Sequence, residues 1–341
     1  MSRREDHIQV PQDGAPANAR EPGLTVSGDE TSVEERVLSH PLFGEPTIRT
    51  IPSVEAYYAC KRRMLDGICG FSLLGERGSG HRVALKVIRT YLAQEFPGLG
   101  VLSYLLPRYP PTNSRAVLAD LLASAGMLAT GGSRAAQFQR LMNLQQEKAL
   151  VSGIPRSIVF LYGAEHVNEV VCNTLLEIRD GLLLRGIRLF TISGSRIGLF
   201  TARISMLRGL VGDDDLGAIF GSVHQLRGLE GVEDYRALFA EIDTLTVDMT
   251  SQITWTEALL PLAYHNGFRL ASQAPALQTA IEDRTSSKTL PIRALISVVR
   301  QVISMAAHLD SPDFEIPPYI WKDAVGIVMG VGAIYLPSVG K

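Results

Sequence analysis

Residues Gly75-Glu76-Arg77-Gly78-Ser79-Gly80-His81-Arg82 carry the spacing G-x-x-x-x-G-K-[ST] of a phosphate-binding loop. In that motif backbone amides cradle phosphates, the lysine neutralises them and the hydroxyl holds magnesium. Here His81 takes the lysine position and Arg82 the hydroxyl position. The glycine-rich turn keeps the means to hold an anion at a helix N-terminus, while the groups that drive phosphoryl transfer are missing.

Such a loop needs a strand before it and a helix after it. The apolar run Cys69 to Leu74 predicts the strand, and the stretch from about 82 to 94 predicts the helix. Further strands are predicted over 101–106, 157–162, 187–193 and 222–226, with helices over 54–68, 114–126 and 133–150. Strands that are almost unbroken apolar runs, alternating with helices, indicate a parallel sheet covered on both faces. From about Val232 onward the pattern is helical, with a break near Pro275. The expected organisation is an N-terminal arm over 1–35, disordered by composition, an α/β core over 36–230, and a helical lid and tail over 231–341.

The chain has 341 residues, is 46% hydrophobic and 20% charged, and carries a formal net charge of −2. That excludes a globally basic coat for nucleic acid, though not a local basic face. Cys60, Cys69 and Cys172 lack ligand spacing and read as reduced thiols in a cytoplasmic protein. The apolar stretch from Ala324 to Leu336 is too short for a membrane span and reads as a buried helix or docking segment.

The order of these elements resembles the AAA+ ATPases, and more closely the TniB/TnsC family of DNA-transposition regulators. The resemblance runs from about His40 to Ala324. His40-Pro41-Leu42-Phe43 resembles the family's leading segment, and Leu106 to Thr112 its second strand and the loop after it. Ser157 to Val167 falls on Walker B, Phe190 to Ser195 on the sensor-1 strand, and Asp215 to Phe220 on the Q-L-x-x-R-F box. Leu226 to Leu229 with Asp234 to Phe239 resembles the approach to the lid. The implied fold is an AAA+ P-loop-type five-stranded parallel sheet with a C-terminal helical lid.

The departures fall on the chemistry. Tyr162 and Gly163 align with the Walker B acids, and Ile219 with the finger arginine. An arginine finger alone is worth ~10³–10⁵ in rate, so hydrolysis is not expected. ATP and magnesium are not required on this reading, and Gly75, Gly78, Ser79, Gly80, His81 and Arg82 form a vestigial nucleotide site. The resemblance makes Ser193 and Arg293 sensor candidates. It also implies double-stranded DNA, a transposase or target-selector protein, and self-association into a ring or filament as partners. Arg108, Arg115, Arg134 and Arg140 are the candidates for contact with the DNA backbone. No metal site and no membrane contact are expected.

Two alternatives stay open at this point: an active AAA+ ATPase with catalytic groups from unusual positions, and an interaction module that binds no DNA. Several positions also have plain structural readings. Glu165 and His166 read as a solvated loop, Ser193 as a turn or cap, Arg293 as an exposed helical residue, and each single arginine as ordinary surface. Gly194 to Gly198 is out of register with G-x-S-x-G, and H-E-x-x-H is absent.

Overall fold

A computed structural model describes residues 32–128, 130–248, 250–284 and 289–335. The expected arm lies outside these residues up to position 31, but its last four residues do not: Ser32 is described, and a helix begins at Val33 and runs to Ser39. Five strands form one parallel sheet: β1 (Gly70–Gly75), β2 (Gly100–Leu105), β3 (Arg156–Tyr162), β4 (Arg188–Arg196) and β5 (Ser222–Leu226). Their order is β2-β3-β4-β1-β5. Two-residue strands β6 (Leu229–Glu230) and β7 (Thr289–Leu290) pair antiparallel and join the core to the lid.

Alternation along the strands sends side chains to opposite faces, and each face has its own core. Phe71, Leu73, Ile158, Phe160, Phe190 and Ile192 pack beneath helices Ile51–Leu65 and His81–Glu95. Leu74, Leu102, Tyr104, Val159 and Leu161 face the opposite way, under helices Ser114–Ser124, Arg134–Ser152, Glu169–Leu183, Ile197–Val211 and Asp213–Phe220. Helix starts are fixed by side-chain caps: Asn113, Ser133 and Asn168 each accept an N–H from the first turn. Thr50 and Ser53 form a capping box, so the first long helix starts at Ile51, three residues before the sequence pattern places it. Where β1 and β5 begin, two glycines let backbones cross, since a Cβ on Gly221 would collide with the Gly70 carbonyl.

The lid is built on helices Gly231–Thr244, Ala274–Glu282, Ile292–Ala306 and Pro318–Tyr335 around Phe239 and Trp321. Leu42 and Ile48, from the segment before the core, are buried in it as well. The stretch Ile292–Leu309 is long and apolar enough to cross a membrane by length and composition. Its Leu295, Val298, Val299, Val302 and Ile303 are instead packed into the lid core. In the last helix Ala324 and Val325 are buried, and Leu336 lies outside the described residues.

Polar struts tie the lid down. Arg300 donates to the carbonyls of Leu42 (2.7 Å) and Gly44 (2.5 Å). Arg49 bridges Glu241 (2.6 Å) and the Tyr91 hydroxyl (3.1 Å), and Arg227 joins Glu55 (2.9 Å) to Asp234. Cys60 and Cys172 are buried thiols, and Cys69 is exposed.

Candidate functional site

The loop after β1 has the shape its spacing predicts. Gly78 and Gly80 both adopt φ of 82°, which a side chain would strain. The Ser79 N–H donates to the Glu76 carbonyl at 3.0 Å, and the helix begins at His81 with Gly80 as its cap. Gly75 must be glycine, because a Cβ there would collide with Ser79 Oγ.

What faces the loop is protein. The Arg293 N–H donates to the Gly78 carbonyl at 3.1 Å, and the Pro291 Cβ lies 3.4 Å from where a Cβ on Gly78 would stand. A Cβ on Gly80 would strike Ile292 Cγ2. The cavity left between Ile48, Thr50, Gly80, Val83, Leu229 and Ile292 is about 20 Å³. A small-molecule pocket needs roughly 300–1,000 Å³. With neither lysine nor hydroxyl at positions 81 and 82, these residues do not fit Mg·ATP.

His81 is half-buried, and its Nδ1 has no hydrogen-bond partner. Burial lowers its pKa, with Glu165 opposing and Arg82 and Arg196 adding to the fall, so the ring supplies no lysine-like charge near neutrality. Arg82 is exposed. Arg293 is exposed too, held at the loop by its backbone bond to Gly78.

At the end of β3, the Tyr162 ring stacks on Phe160 with centroids 6.2 Å apart, and burial raises its hydroxyl's pKa against the opposing charge of Arg89. Gly163 takes φ of 75° and donates its N–H to the Gly194 carbonyl at 3.1 Å. Neither position offers a carboxylate. The expectation of a solvated loop just beyond is corrected: Glu165 is only 6% exposed. It accepts the Ser195 hydroxyl at 2.7 Å, with Arg196 at 3.9 Å, and its own carbonyl accepts the Arg203 Nε at 3.2 Å. Burial raises its pKa, but the Ser195 bond, its own backbone amide, His166 and His81 outweigh that and leave it below the ordinary carboxyl value.

The strand expected to carry Ser193 at its end also runs further. The sequence pattern ends the fourth strand at Ser193, whereas β4 continues to Arg196 because Gly194 admits Leu85 against the strand. Ser193 is neither turn nor cap but mid-sheet, bonded to Ser72 Oγ at 2.8 Å. Ser195 is the serine that reaches the edge. Ile219 is buried in the core, where it presents nothing outward.

Of the four arginines expected at DNA, Arg134 is paired with Glu177 and bonded to Ser114. Arg140 donates to the Gly131 carbonyl. Arg115 is exposed, and Arg108 is exposed over the Tyr109 ring at 5.9 Å. Among the described residues no three His, Cys, Asp or Glu side chains form a metal-binding group.

Strand order, the phosphate-loop turn and the C-terminal helical lid define an α/β fold of the AAA+ P-loop type. No protein-family model matches the chain, and no curated protein does. Similar solved structures include Drosophila ORC bound to DNA, at 11% identity over 95% of this chain and 74% of that one, with a TM-score of 0.45. Domain III of the Thermotoga maritima replication initiation protein DnaA is 13% identical over 82% and 94%, with a TM-score of 0.43. A Thermotoga maritima RuvB variant is 14% identical over 82% and 67%, with a TM-score of 0.35. The strand order and the loop define the fold independently of these distant likenesses.

Proposed function

We propose that this chain is a DNA-associated scaffold of AAA+ type that works without nucleotide hydrolysis. Like the transposition regulators that its sequence resembles, it would assemble on duplex DNA and join a transposase to a target-selector protein. One observation carries the nucleotide-independent part: Ile292 of the lid lies against Gly80 where a phosphate-bearing ligand would enter. Replacement of the lysine, the hydroxyl and the paired acids supports it. The lid, which a bound nucleotide would otherwise hold, is held by Arg300, Arg49 and Arg227.

A second reading, an active ATPase, draws on the buried Glu165–Ser195 pair, a carboxylate and hydroxyl at the carboxyl edge of the sheet. Sedimentation of the purified protein with duplex DNA separates the two. The scaffold reading expects the same DNA-bound fraction with and without Mg·ATP. A nucleotide-dependent change in that fraction, abolished by Glu165→Gln, supports the ATPase. Absence of any DNA-bound protein at low salt supports the pure interaction module.

A further inference from the structure

The chain is acidic overall, with a formal charge of −2, yet basic side chains line the carboxyl edge of its sheet. In strand order, Arg108 follows β2, His166 follows β3, Arg196 ends β4, and Arg77 and Arg82 follow β1. Arg293 extends the row from the lid through its bond to Gly78. Neighbouring strands lie about 4.8 Å apart, so the step from β2 to β1 covers roughly 15 Å of edge. All five arginines are exposed. Glu165, the carboxylate nearest Arg196, is buried beneath them and meets it only at 3.9 Å. On the loop after β1 the exposed acid is Glu76 alone.

One of the basic side chains sits where helix electrostatics disfavours it. Arg82 lies in the first turn of the helix His81–Glu95, at the positive end of its dipole, and that turn contains no acid. An anion lying across this edge removes that repulsion. A mononucleotide does not suit it, because Ile292 fills the recess behind the loop while the arginines face outward. A linear anion does. The guanidinium fork binds phosphate oxygens in pairs, and a row spaced by strand separation suits the regular charges of a nucleic-acid backbone.

We propose that this carboxyl edge binds the phosphodiester backbone of duplex DNA, with Arg82 and Arg196 at its centre and Arg77, Arg108 and Arg293 on its flanks. The inference rests on the DNA-scaffold reading and deepens it. It shifts the contact surface away from Arg134 and Arg140, which are engaged within the chain, and onto the mouth of the disarmed pocket.

The test is fluorescence anisotropy of the full chain with a labelled random-sequence duplex, titrated across a series of salt concentrations. The double variant R82E/R196E is compared with R62E/R63E, which makes the same charge change at the opposite edge of the sheet. Wild type is expected to bind with a steep salt dependence. R82E/R196E is expected to weaken binding about tenfold or more and to flatten the log–log salt slope by about 2, the counterions of two phosphates. R62E/R63E is expected to stay close to wild type. If the reversal variant melts early by circular dichroism, R82A/R196A takes its place with the same slope criterion. Wild-type binding weakened equally by both variants overturns the edge while the DNA reading stands. No salt-sensitive binding by wild type removes the DNA reading itself. Edge-dependent binding of polyglutamate without binding of duplex also overturns the proposal, and marks an acidic protein as the partner.

Discussion

Glu165→Leu is expected to lower the unfolding free energy by about 3 kcal/mol, read as a drop in urea midpoint at unchanged m-value. The side chain is 5% exposed, and it is the acceptor for the buried Ser195 hydroxyl. Leucine leaves that hydroxyl only the long 3.4 Å contact to the Arg196 carbonyl, the larger part of the loss. The electrostatic part is smaller, because Arg196 is 45% exposed and solvent screens the pair. Glu165→Gln keeps an acceptor for Ser195 and is expected to lose only about 1 kcal/mol. The folded carboxyl lies below its ordinary value, so its contribution is complete above the unfolded pKa and is lost as pH falls through the folded one. Equal stability of the leucine variant and wild type at neutral pH would show that the cluster holds nothing in place.

A second loss begins at higher pH. His40 is buried, accepts the Leu42 N–H through Nδ1 at 3.1 Å, and meets Trp255 edge-on at 5.6 Å. Burial, only partly opposed by the nearby Trp255 backbone, pushes its pKa down from 6.5 to about 4. Between those values the unfolded chain binds a proton that the folded chain refuses. Stability is therefore full above pH 6.5 and falls by about 3 kcal/mol as pH drops to 4. Most carboxylates titrate only in the lower part of that window. Denaturation at half-unit steps from pH 7.5 to 4.5 should show a decline beginning near 6.5, and His40→Gln should flatten its upper part. A profile flat down to pH 5 would contradict the burial of a neutral imidazole.

The fold was legible because its signals are local and repeated. Five apolar runs alternating with helices imply a covered parallel sheet, and the glycine spacing at 75, 78 and 80 implies the loop. The candidate site was read from the sequence mainly through what it lacks. His81, Arg82, Tyr162, Gly163 and Ile219 can be read one position at a time against the motifs they replace. Three features could not be read so. Gly194 and Ser195 look like a turn, and only Leu85 packing against Gly194 keeps them in β4. Glu165 sits beyond the aligned positions, and its burial depends on a serine 30 residues away. Ile292 meets Gly80 across more than 200 residues of chain, a contact that no local pattern encodes.

That last contact decides whether nucleotide has any role. Calorimetric titration of the full chain with Mg·ATP, alongside its Ile292→Ala variant, measures it most directly. No heat of binding and no released phosphate are expected from wild type, and at most weak binding without phosphate release from the variant. Saturable binding of Mg·ATP by wild type, followed by turnover, would contradict a pocket filled by the lid's own side chain.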